Sequence, residues 1–215
     1  MKNVFLGEYI KQRRLDLGLT QEQLCDGICE PMTLSRLENG KQTPSRNRIN
    51  ALLQRLGLPD DRYFALLSKN ELEMEALQKE IVACNANHRV EEGFETLKKF
   101  EQIADHDDQI AQQFILRSKV LLGRLDQRYT PQEQIDLLMQ VIRLTVPRFN
   151  LDEIERFFYS TDEIKIINQI GIAYSDDGQN KKAADIYYQL LKYVRKHFEE
   201  TITSVDILPM VYFNY

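Results

Sequence analysis

The chain is poor in the residue types that anchor catalytic and metal chemistry. Its 215 residues include three histidines (His88, His106, His197) and three cysteines (Cys25, Cys29, Cys84). No H-E-x-x-H, G-x-S-x-G or phosphate-loop pattern occurs, so zinc-protease, serine-hydrolase and nucleotide-hydrolase chemistry have no motif to start from. Cys25 and Cys29 stand four apart like half a metal site, but no histidine or further cysteine is near them in sequence. They are expected as small buried side chains. The acidic run at Asp105, His106, Asp107 and Asp108 falls between two helical patterns and reads as a turn. No catalytic residue, metal or cofactor is expected. No stretch reaches 18 apolar residues, which excludes a membrane-spanning helix. The first residues, "MKNVFLGEYIKQRR", lack the apolar run of an export signal. With an odd cysteine count, this is the pattern of a reduced, cytoplasmic chain.

A hydrophobic content of 43% and a charged content of 28% are those of a folded protein. The net charge of −5 is unevenly spread. Residues 1–69 hold 11 Lys+Arg against 8 Asp+Glu, whereas residues 70–215 hold 17 against 25. A basic head on an acidic body suits a module that meets a polyanion, joined to one that does not. Two domains are expected, 1–69 and 70–215.

Five helices are predicted in the head. The first spans roughly Val4–Leu17 and stops at Gly18. The second opens on Thr20-Gln21-Glu22-Gln23, a capping box, and runs to about Cys29. The third begins at Pro31, a residue suited to a first helical turn, and ends at Gly40. The fourth follows Pro44-Ser45, with Ile49, Leu52, Leu53 and Leu56 on one face, and stops at Gly57. The fifth opens at Pro59. A tight turn near Cys29-Glu30 joins helices two and three, the arrangement of a helix-turn-helix. Leu34 and Leu37 then face the core and leave Met32, Thr33 and Arg36 outward, as a helix that enters a DNA major groove requires.

The run "GLTQEQL…ICEPMTLSRLENG…PS" resembles the helix-turn-helix of phage repressors and xenobiotic-response regulators, and within them the Rgg/PlcR type of peptide-responsive regulators. The resemblance implies a lambda-repressor-like domain in which Gln21 meets a phosphate and Pro31, Met32 and Arg36 lie against base edges, with the outward Thr33 beside them as a further DNA-binding candidate. Asn39, Lys41 and Thr43 follow on the backbone. It also implies an ion pair between Arg14 and Glu38 that ties helix one to helix three. Arg36 can bond guanine O6 and N7 together, worth about 1–3 kcal/mol of discrimination. Met32 offers only apolar contact, and Pro31 has no side-chain donor where the family often has a polar reader, which gives shape readout more weight.

Beyond Asn70 the pattern is almost wholly helical, with Gly and Pro at helix ends. Gly171, Tyr174, Ala183 and Tyr187 stand at spacings of 3, 9 and 4, similar to a tetratricopeptide repeat. Ile81, Cys84, Gly93 and Leu97 repeat those spacings, and a middle copy spans Gln109 to Val146. Such pairs stack into an α-solenoid with a concave groove. The chain is therefore expected to be all-α: a five-helix head followed by a solenoid of tetratricopeptide-like pairs. The closing "TITSVDILPMVYFNY" reads as the first helix of another repeat without its mate. Either the array is cut short relative to similar proteins, or a second subunit covers its apolar face.

The resemblance further implies that the repeats bind a short secreted signalling peptide, as in quorum sensing, and build a homodimer on an inverted-repeat DNA operator. On the repeat spacing, the groove-facing candidates are Lys165, Asn168, Ile172 and Ser175, with Gln78, Val82 and Asn85 in the first copy. Asn168 stands out, because an amide side chain can both donate to and accept from a peptide backbone. Two alternatives stay open: a ligand-independent repressor whose repeats serve only for dimerisation, and a repeat-based protein-interaction adaptor.

Overall fold

The computed structural model describes residues 6–58, 69–198 and 204–214. Every regular element among them is helical. In the head, α1 (Leu6–Asp16), α2 (Gln21–Cys25), α3 (Pro31–Glu38) and α4 (Arg46–Arg55) are set by local signals. Thr20 accepts from the backbone N–H of Gln23, whose side chain accepts from Thr20 N–H in return. Pro31 occupies the first turn of α3. Gly18, Gly40 and Gly57 take positive φ just beyond α1, α3 and α4. The predicted fifth helix at Pro59 lies outside the described residues.

One expectation is corrected. Helix α2 ends at Cys25 rather than near Cys29, and the connection to α3 is correspondingly longer. The chain leaves the helix through Gly27, which has φ of +72°. A Cβ there would lie 1.9 Å from the carbonyl oxygen of Thr145 in the body. Glycine is needed on both counts: for the left-handed backbone and for the close approach.

The body is a stack of antiparallel pairs. Helix α5 (Lys69–Ala86) pairs with α6 (Val90–Ile103), α7 (Gln109–Leu125) with α8 (Pro131–Thr145), and α9 (Thr161–Asp176) with α10 (Asn180–Phe198). Helix α11 (Ser204–Asn214) packs on α9 and α10. A short 3-10 segment, Leu151–Arg156, links α8 to α9. The repeat spacing has a direct steric cause. A Cβ on Gly171 would meet the Tyr187 ring at 2.6 Å, and one on Gly93 would come within 3.2 Å of Cys84 Cβ and within 2.7 Å of Leu122 from the next pair. Apolar residues run continuously from Val120 on α7 to Val211 on α11, and a second cluster joins α5 and α6 to α7 through Ile81, Phe100, Ile115 and Leu122.

Head and body meet through one buried polar network. Arg55, at the last turn of α4, is 3% exposed, and all five of its N–H donors are used. Nε and Nη2 reach the two Glu163 oxygens at 3.4 and 2.8 Å. Nη1 donates to the carbonyls of Leu24 and Asp26, and Nη2 also donates to that of Thr145. Glu163 serves two structures at once. It closes the Ser160 capping box of α9 and accepts from Thr145 Oγ1 at 2.6 Å, while Gln113 donates to that hydroxyl. Ile110 and Phe158 of the body complete the apolar core of the head. Outside this core, Gln109 bridges the carbonyls of Gly27 and Leu144, and Arg148 pairs with Asp26.

Removing one member of a fully buried ion pair strands the other, which costs about 3–5 kcal/mol. Arg55→Met and Glu163→Gln should each lower stability on that scale in equilibrium urea unfolding. The double variant should lose clearly less than the sum of the two. Strict additivity would mean that the pair does not couple head to body.

Candidate functional site

In the head, the outward face of α3 is held from beneath. Arg14 Nε and Nη2 donate to the two Glu38 oxygens at 2.6 and 2.9 Å, and Arg14 Nη1 donates to the Leu19 carbonyl at 2.7 Å. Both side chains are buried. This planar two-bond geometry fixes the end of α3 against α1. Gln21 joins the same group, donating to Glu38 at 2.7 Å. In this arrangement its amide is engaged inside the head.

Above this support, Pro31, Met32 and Arg36 are exposed, and Thr33 is half-buried. Met32 is 63% exposed, a large apolar side chain presented to solvent at the first turn of the helix. Lys41 and Thr43 are exposed on the loop that follows. Asn39 is exposed too, but its amide donates to the Ser35 carbonyl and caps α3. The body docks elsewhere, on the connection after α2 and on α4, so the α3 face is left open. Cys25 and Cys29 lie just beneath the turn. A hydrogen bond between their thiols holds Cys29 below the ordinary thiol value and pushes Cys25 above it, with Arg48 and Arg55 adding to the effect on Cys29.

The residues expected along the repeats do not form one surface. Gln78 on α5 lines a cavity of about 470 Å³ bounded by α4, α5, α7 and α9. Asn85 is half-buried further along α5. Lys165 pairs with Asp162 at 3.2 Å, Ile172 is half-buried, and Ser175 is exposed beside Asn180. Asn168 is 3% exposed and accepts from Asn214 on α11, so it is engaged between helices rather than open to a groove. The cavity adds residues that the repeat spacing does not single out: Arg48 and Asn50 on α4, Gln113 and Arg117 on α7. Arg117 donates to Gln169 at 3.1 Å and faces Asp162.

One group of metal-ligating type exists among the described residues: Glu80, Cys84 and Glu92. Arg89 donates to both carboxylates at 2.9 and 2.8 Å, so both are already engaged by a cation. No helix among the described residues is long and apolar enough to cross a membrane.

Comparison with known proteins places a family match on the head. Residues 6–63 match a helix-turn-helix domain family, so the head is similar to such domains. No curated protein matches the chain. Among solved structures, the chain is similar to Bacillus thuringiensis PlcR in complex with the peptide PapR7 and DNA. The sequence identity is 16% and the TM-score 0.36, covering 98% of this chain and 85% of that one.

Arg14→Lys tests the support beneath α3. An ammonium group cannot make two parallel bonds to Glu38 and also reach Leu19. A loss of about 2 kcal/mol is expected in denaturant unfolding, with the helical circular-dichroism signal retained. An unchanged midpoint would show that the pair carries no stability.

Proposed function

We propose that the chain is a sequence-specific DNA-binding transcription regulator whose repeat body senses a short peptide. The observation that carries the DNA-binding part is the exposed face of α3, with Met32 and Arg36 outward and the buried Arg14–Glu38 pair beneath. Arg36 offers the two-pronged donor that reads guanine. Lys41 and Thr43, exposed on the loop after α3, are taken to meet the sugar-phosphate backbone and so to set register rather than sequence. Met32 and Pro31 offer apolar bulk, which suits contact with a thymine methyl and sensitivity to groove shape.

In this proposal the chain acts as a homodimer on an inverted-repeat operator, with half-sites one helical turn apart or a multiple of it. Tyr212 and Phe213 on α11, 47% and 90% exposed, are the apolar surface that supports a second copy. The peptide would act by favouring one placement of the two heads over another. The mixed polar and apolar lining of the cavity at the head–body junction supports a peptide ligand.

Selection of binding sites from random duplex DNA, followed by a salt series on the best site, tests the DNA-binding part. Affinity should fall steeply with salt and exceed that for scrambled DNA. Arg36→Ala should cost about 1–3 kcal/mol on the selected site and relax preference at one base pair. Lys41→Ala should weaken selected and scrambled DNA alike and reduce the salt slope by about 1. Equal affinity for selected and scrambled DNA at every salt concentration would remove the regulator reading and favour an adaptor.

A further inference from the structure

The cavity between α4 and the repeats has about 470 Å³ of space, within the range of roughly 300–1,000 Å³ common for ligand pockets. Its charged walls are largely matched. Glu75 pairs with both Arg46 and Lys79, and Asp162 pairs with both Arg117 and Lys165. Matched charges of this kind do not build the one-signed field that a phosphate-rich ligand requires. Ile103, Phe114 and Ile166 add apolar lining. Two polar atoms stand apart from this balance. Arg48 Nε and Asn50 Oδ1 are buried with no hydrogen-bond partner among the described residues, and both residues line the cavity. Folded proteins leave few such atoms, because each one costs stability.

The two unmet needs are complementary. Arg48 Nε lacks an acceptor and Asn50 Oδ1 lacks a donor. An extended peptide backbone supplies both, since each unit carries one carbonyl and one N–H. We propose that this cavity is where a short extended peptide binds, with Arg48 donating to a backbone carbonyl and Asn50 accepting from a backbone N–H. The apolar lining takes one or two side chains of the peptide. This rests on the peptide-sensing reading above and deepens it: the helix-turn-helix head itself, through α4, forms part of the peptide site. The ligand then bridges head and body beside the Arg55–Glu163 pair.

The test uses the full chain and a random heptapeptide library, from which the tightest binder is selected and resynthesised with a photo-crosslinking residue. Its dissociation constant is measured for the unmodified chain, Arg48→Met and Asn50→Leu, and crosslinked positions are mapped by mass spectrometry. Each substitution should weaken binding about tenfold or more. Asn50→Leu should leave the melting temperature unchanged or raise it, because it removes an unsatisfied buried acceptor. Crosslinks should fall on residues 46–54 as well as on α7 or α9. Equal binding by both variants, with crosslinks confined to the repeats, overturns the junction site while leaving peptide sensing in place. A lowered melting temperature for Asn50→Leu also overturns it, since that atom would then serve the fold. If no peptide is retained above background by the unmodified chain, peptide sensing falls and the junction site falls with it.

Discussion

The structure depends on a guanidinium taken out of water between head and body. Arg55 has five donors, and the acceptors they reach come from α2, the loop after it, the end of α8 and the start of α9. Desolvating a charge is tolerable only when every donor is met and a counter-ion lies close by. Glu163 supplies the charge, but it is itself held by Ser160 and Thr145, and Thr145 by Gln113. The head is therefore docked by a chain of bonds reaching through three of the body's helices. A looser arrangement would leave a buried charge exposed to an apolar wall, so the contact favours one fixed placement over a range of similar ones.

That placement also resolves the small size of the head. Helix α2 has 5 residues and α3 has 8, too few to enclose a core while one of them keeps an open face. Ile110 and Phe158 from the body close the apolar cluster around Leu24, Leu34 and Leu53. Gly27 lets the connection lie directly on the Thr145 carbonyl. The α3 face can remain open because the burial it forgoes is made up where the body packs on the head.

What could be read from the sequence, and what could not, follows the range of the interactions involved. The Thr20–Gln23 capping box, Pro31 in the first turn of α3 and the Gly171–Tyr187 contact join residues close in sequence, and such signals survive in a linear pattern. The Arg55–Glu163 pair spans 108 residues. In the sequence, Arg55 sits between Leu53 and Leu56 as one more charged position on an amphipathic helix, with nothing to separate it from a solvated arginine. Helix α2 looks longer from its apolar spacing, although Gly27 is a local stop signal; only the close approach of the Thr145 carbonyl to that glycine is remote. Asn168 fails as a groove residue for the same reason. The repeat spacing describes one helix pair, whereas α11 from the next element covers that side chain. Arg48 and Asn50 carry no local signal at all, since a missing partner shows only once the surroundings are in place.

The position of the cavity bears on how a peptide could act at a distance. A ligand shifts an equilibrium between two head placements only by the difference in its affinity for them. Moving the balance from 1:99 to 99:1 takes about 5.5 kcal/mol of such difference. A peptide held wholly by the repeats makes the same contacts wherever the head lies, and its differential affinity must come from deforming the solenoid. Packed helices with Gly171 wedged against Tyr187 resist that deformation. A peptide that also bonds Arg48 and Asn50 has the difference built in, because those contacts exist only while α4 stays docked. A handful of such contacts reaches the required scale when each is worth about 1–3 kcal/mol. By this arithmetic, a peptide bound there would stabilise the same placement as the Arg55–Glu163 pair, and would act by changing the population of heads held against the body.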